Sequence, residues 1–68
     1  MNVDQLQQIV RREPFRPFQI ATTAGEHYEI LEERDYLYKE QRPDLLVFFA
    51  EGIYRIVDVN QITSAAVL

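Results

Sequence analysis

Leu45-Leu46-Val47-Phe48-Phe49-Ala50 is an unbroken run of six apolar residues in a chain of 68. Nothing else in the sequence constrains the fold as strongly. The run is far shorter than the roughly 20 apolar residues that a bilayer-crossing helix needs. Flanked by Asp44 and by Glu51-Gly52, it reads as a strand buried on both faces, or covered on one face by a partner. Glu51-Gly52 has the length and composition of a tight two-residue turn. Ile53 to Val59 is then the returning strand. It places Ile53, Arg55, Val57 and Val59 on one side and Tyr54, Ile56 and Asp58 on the other.

The first residues follow a different period. Val3, Leu6, Ile9 and Val10 share one face of a helix expected over about residues 3–12. Asn2 and Gln5 have the spacing of a capping box. Asp4 sits in the first turn and Arg11 and Arg12 in the last, each where the helix dipole favours its charge. Pro14 disfavours helical geometry at Glu13 and so ends the helix. A helix this short is unstable alone and must dock its apolar stripe. Beyond Pro14 the period becomes two. Phe18, Ile20 and Thr22 form one strand face and Tyr28 and Ile30 another, joined through Ala24-Gly25. Tyr36-Leu37-Tyr38 is a short strand or an irregular anchor, Glu40 to Asp44 a loop, and Ile62 to Val67 a last strand. The Pro14-x-x-Pro17 spacing matches a minimal polyproline ligand. A simpler account is that the prolines stiffen the exit from the helix and aim Phe15 and Phe18 at the core.

These elements predict one domain over residues 1–68, mainly β with one N-terminal helix and β-rich over 16–67. The expected architecture is a small, strongly bent antiparallel sheet or barrel of about five strands, SH3- or Sm-like. A two-layer α+β domain is the alternative. Asp58 to Gln61, between two apolar strands, is where such barrels often place a single helical turn.

Pro14-Phe15-Arg16-Pro17-Phe18-Gln19-Ile20, then Gly25 and Tyr28, with Ile56-Val57-Asp58 and Ile62-Thr63 later, resemble a group of short uncharacterised bacterial proteins. Their shared pattern is Pro-Phe-x-Pro-Phe-x-Ile, a turn ending in Gly, and a late Asp followed by Ile-Thr. The resemblance covers roughly residues 3–64. Many members carry His-Pro-Asp after the second strand, where this chain has Glu33-Arg34-Asp35. The resemblance implies a bacterial origin and supports the small β fold. It carries over no functional residue.

Several function classes are disfavoured. With no cysteine there is no disulfide framework or thiolate metal site. The single histidine, His27, stands beside Glu26 and Glu29 and reads as an exposed residue near a turn rather than a base or a ligand. Ser64 lies outside any nucleophile-elbow sequence. Gly25 and Gly52 are isolated, so no phosphate-cradling loop is written in the chain. No catalysis, cofactor or metal is expected. No basic segment followed by an apolar one opens the chain, which points to the cytoplasm rather than to export or a membrane.

Charge is unevenly spread. Residues 26–51 hold eight acids, Glu26, Glu29, Glu32, Glu33, Asp35, Glu40, Asp44 and Glu51, against Arg34, Lys39 and Arg42, within a chain of net charge −4. That middle repels phosphate backbones and makes nucleic acid an improbable partner. It reads as a solubilising face, or as a site for a basic partner. The one basic-aromatic cluster is Arg11, Arg12 and Arg16 interleaved with Phe15 and Phe18. It supplies the candidate RNA contacts of an alternative, Sm-like reading.

The leading expectation is a non-catalytic interaction module that self-associates or docks a protein partner. A chain this short, without disulfide or metal, gains little net stability from its own core. A homo-oligomer would cover what one subunit leaves open. The candidate self-association residues are Leu46, Phe48, Phe49 and Tyr54. A second alternative is a regulator that mimics nucleic acid through its acidic surface.

Overall fold

A computed structural model describes all 68 residues. Helix α1 spans Val3–Val10, and six strands follow: β1 (Phe18–Thr22), β2 (His27–Ile30), β3 (Tyr36–Leu37), β4 (Leu45–Ala50), β5 (Ile53–Asp58) and β6 (Ile62–Val67). Single 3-10 turns occupy Glu33–Asp35 and Val59–Gln61. The strands form two three-stranded antiparallel sheets, ordered β2-β1-β6 and β3-β4-β5. No ladder joins one sheet to the other, so the barrel is not closed. The protein is mainly β with one short N-terminal helix, as the sequence pattern predicts.

Both ends of α1 have local causes. The Asn2 side chain accepts from the Gln5 backbone N–H at 2.8 Å, and Gln5 Oε1 accepts from the Asn2 N–H at 3.1 Å, which completes the capping box. The helix stops at Val10, two residues earlier than expected. Continuing it would require an N–H from residue 14 to the Val10 carbonyl, and proline has none. The Tyr36 hydroxyl takes that carbonyl instead, at 2.6 Å. Arg11 therefore caps the helix rather than lying in its last turn, and Arg12 is outside it. Leu6 and Val10 are buried, and α1 packs against β6.

The hairpins follow their turn residues. Gly25, at φ 80°, closes the β1–β2 connection. Glu51 at φ 57° and Gly52 at φ 84° make the primed two-residue turn that suits the twist of β4 and β5. The turn fixes Ala50 opposite Ile53, and with it every later pair: Phe49 with Tyr54, Phe48 with Arg55, Val47 with Ile56, Leu46 with Val57. The turn at Val59–Gln61 stands where the interruption between two apolar strands predicts one. The Asp58 carboxylate caps it through the Asn60 N–H at 2.8 Å.

The core lies between the sheets and under the helix. It comprises Leu6, Val10, Phe18, Ile20, Tyr28, Ile30, Leu46, Phe48, Val59 and Ile62. The Tyr28 and Phe48 rings meet across the two sheets at 5.1 Å between centroids. Phe15 stacks on Tyr36 at 5.9 Å and meets Phe18 edge-on at 6.3 Å, so both phenylalanines of the Pro-Phe segment serve packing.

Candidate interaction surface

The apolar run of β4 is buried on one face only. Leu46 and Phe48 are fully enclosed within the single subunit. They cannot be the self-association residues that the sequence nominates. Their side chains point at Tyr28 and the rest of the core, because period-two alternation sends every second residue of β4 inward. The other two nominees, Phe49 and Tyr54, stand on the outer face, with their rings edge to face at 5.0 Å.

Their surroundings enlarge the patch. Val47 and Ile56 pair beside them on β4 and β5, and Leu37 pairs with Val47 from β3. Leu37 is 53% exposed, Phe49 39%, Tyr54 76% and Ile56 69%. Taking about 200 Å² for a large side chain, these four present roughly 500 Å² of mostly apolar surface. That is near the top of the range of about 300–600 Å² for the largest patch on a soluble monomer. Two shallow hollows indent the same face, one bounded by Arg34, Leu37, Val47 and Tyr54, the other by Leu37, Lys39, Arg42 and Leu45. Leu37, Val47 and Ile56 are absent from the residues nominated by sequence. Counting outward from the Glu51-Gly52 turn would have found the Val47–Ile56 pair.

The inner face of β5 carries a charge. Arg55 extends over the Tyr28 ring, 4.9 Å from its centroid, and its Nη2 reaches Glu51 at 3.3 Å. Its Nε is enclosed and has no acceptor. The guanidinium thus borders a crevice between the sheets whose walls include Thr22, Glu26, Tyr28 and Gln61. The Glu26 carboxylate, and then burial, raise the Tyr28 pKa above its ordinary value, against the opposing pull of Arg55.

Two of the three clustered arginines are set among carboxylates. Arg11 forms an ion pair with Glu40 at 2.9 Å and lies 5.8 Å from the Tyr38 ring centroid. Arg11 and Arg12 share their crevice with Glu13, Glu33 and Glu40, so carboxylates outnumber cations there, and Arg16 is not part of its wall. Phe18 is buried and Phe15 is stacked on Tyr36. His27 is exposed at the start of β2, and no group of three His, Cys, Asp or Glu side chains gathers as a metal site. No helix is long and apolar enough to cross a membrane. Comparison with protein-family models, with curated proteins and with solved structures found no match to this chain.

Proposed function

We propose that this protein is a small non-catalytic interaction module that works by binding a second copy of itself through the β3-β4-β5 sheet. One observation carries the reading: Leu37, Val47, Phe49, Tyr54 and Ile56 lie side by side on a solvent-facing sheet surface. A standard interface takes about 800 Å² from each partner. The patch supplies more than half of that, and the flanking Arg34, Lys39 and Arg42 can supply a polar rim.

Sedimentation velocity over a micromolar concentration series tests the proposal. The wild-type chain is expected to gain mass with concentration. The double variant Tyr54→Ser, Ile56→Ser is expected to remain monomeric with an unchanged circular-dichroism spectrum, because both side chains are already in solvent. A wild-type chain that stays monomeric throughout would sink the proposal. The RNA-binding alternative is weakened because two of its three arginines, Arg11 and Arg12, share their crevice with carboxylates.

A further inference from the structure

The outer sheet could meet its copy face to face or edge to edge, and the four strand edges of the molecule are not equally open. The β2 edge is four residues long and is bordered by the exposed acids Glu26, Glu29 and Glu32. The β6 strand has α1 packed against it, and the Met1 nitrogen donates to the Ile62 carbonyl at 2.9 Å. The β3 edge is two residues long. The remaining edge, β5, is six residues long, and its pairing with β4 runs without a bulge. It contains no proline or lysine. Its one cation, Arg55, is folded under the sheet onto Tyr28. Short length, bulges, prolines and edge lysines are the usual means by which proteins keep an edge from pairing. β5 has none of these, and the inward-pointing Arg55 is the one guard it carries.

The hydrogen-bonding pattern of that edge follows from the turn. In a two-residue hairpin the closing pair, here Ala50 and Ile53, exchanges both backbone hydrogen bonds, and such pairs then alternate along the ladder. Arg55 and Val57 therefore bond to β4, whereas the backbone groups of Tyr54, Ile56 and Asp58 point away from it. No strand pairs with β5 on that side, where Arg55, Ile56 and Val57 face the β1–β2 connection across the crevice between the sheets.

We infer that two copies join antiparallel along β5 about a two-fold axis at Ile56, making one continuous six-stranded sheet. This inference rests on the self-association proposed above and places it at the β5 edge, so that Tyr54 and Ile56 enter the seam while Leu37, Val47 and Phe49 stay on the outer face of the joined sheet. Opposed residues in an antiparallel pair must share a face, so only two registers overlap most of β5. One is centred on Arg55 and sets Arg55 directly opposite Arg55 of the second copy, a destabilising like-charge pair on the half-buried inner face. The other is centred on Ile56. It sets Ile56 against Ile56, Arg55 against Val57, and Tyr54 against Asp58, with no like charges opposed. Charge thus selects the register.

Single cysteines test the geometry cleanly in a chain that has none. Directly opposed residues in a hydrogen-bonded pair have Cα atoms about 5.5 Å apart, within the range a disulfide spans. Under mild oxidation Ile56→Cys is expected to cross-link nearly completely, while Tyr54→Cys and Phe49→Cys do not. Cross-linking of Arg55→Cys in place of Ile56→Cys would overturn the register. Cross-linking of Phe49→Cys alone, in a chain that sediments as a dimer, would overturn edge pairing while leaving self-association standing. A monomeric wild type overturns both. As a second measurement, Ile56→Lys installs the missing guard on an exposed position and is expected to weaken self-association at least ten-fold without altering the monomer's spectrum. Unchanged association of that variant would overturn the inference.

Discussion

Tyr36 shows how much one side chain determines in a molecule of this size. Its ring stacks on Phe15 and its hydroxyl donates to the Val10 carbonyl. Burial, and then the charge of Glu33, push its pKa above the usual 10.0. A raised folded-state pKa means the unfolded chain gives up this proton first. The associated stability is complete below pH 10.0 and is lost as pH rises through the folded-state value. Tyr36→Phe is expected to cost about 1 kcal/mol of stability at pH 7 for the lost hydrogen bond, read as a lower urea midpoint. It should also flatten the alkaline limb of the stability profile, and denaturant titrations at several pH values read both effects. The residue scale is also where sequence reading succeeds and fails most plainly. Phe18, Ile20 and Thr22 alternate with more exposed neighbours, so their burial is legible. Leu46 and Phe48 are indistinguishable from Val47 and Phe49 by composition, because an unbroken apolar run carries no alternation to say which face turns inward. Only the three-dimensional placement of Tyr28 against Phe48 separates them.

Among the elements, the β4–β5 hairpin has the strictest local requirement. Gly52 sits at φ 84°, and a Cβ there would meet nothing within 4 Å. Gly52→Ala thus introduces no clash and isolates the backbone cost of the left-handed region, about 1–2 kcal/mol. Thermal denaturation should register that loss. A larger drop, with altered near-ultraviolet dichroism, would mean that the hairpin register itself had shifted. This turn was legible because Glu51-Gly52 separates two apolar stretches of matching length. The 3-10 turn at Val59–Gln61 was legible for a similar reason, as an interruption between strands. The early end of α1 was less so. Pro14 marks the limit, but the Tyr36 hydroxyl that satisfies Val10 comes from 26 residues away, and no local pattern announces it. The 3-10 turn at Glu33–Asp35 was likewise hidden in a stretch readable only as charged.

At the scale of the whole molecule, charge and apolar surface oppose each other. Each copy carries a net charge of −4, so pairing two copies works against mutual repulsion. Added salt screens that repulsion over a distance of about 10 Å at 0.1 M and is expected to tighten self-association between 50 mM and 500 mM. A phosphate-binding protein behaves in the opposite sense, losing affinity steeply over such a range. Sedimentation equilibrium with salt as the variable therefore separates the proposed function from its nucleic-acid rival, and dissociation at high salt would count against the self-association reading. The acidic balance and the excess of apolar strand are visible in the sequence, whereas the single patch they leave uncovered emerges only when the register sets Leu37, Val47 and Ile56 together. The same register bears on the order of assembly. β4 and β5 meet across two residues, but β1 pairs with β6 at sequence separations of 40 to 49, from Thr22–Ile62 to Phe18–Val67. Loop-closure entropy lets the short connection form first. While the hairpin stands without the second sheet, Leu46 and Phe48 are as exposed as Phe49 and Tyr54. Refolding yield is therefore expected to fall as chain concentration rises, which light scattering during dilution from urea would register.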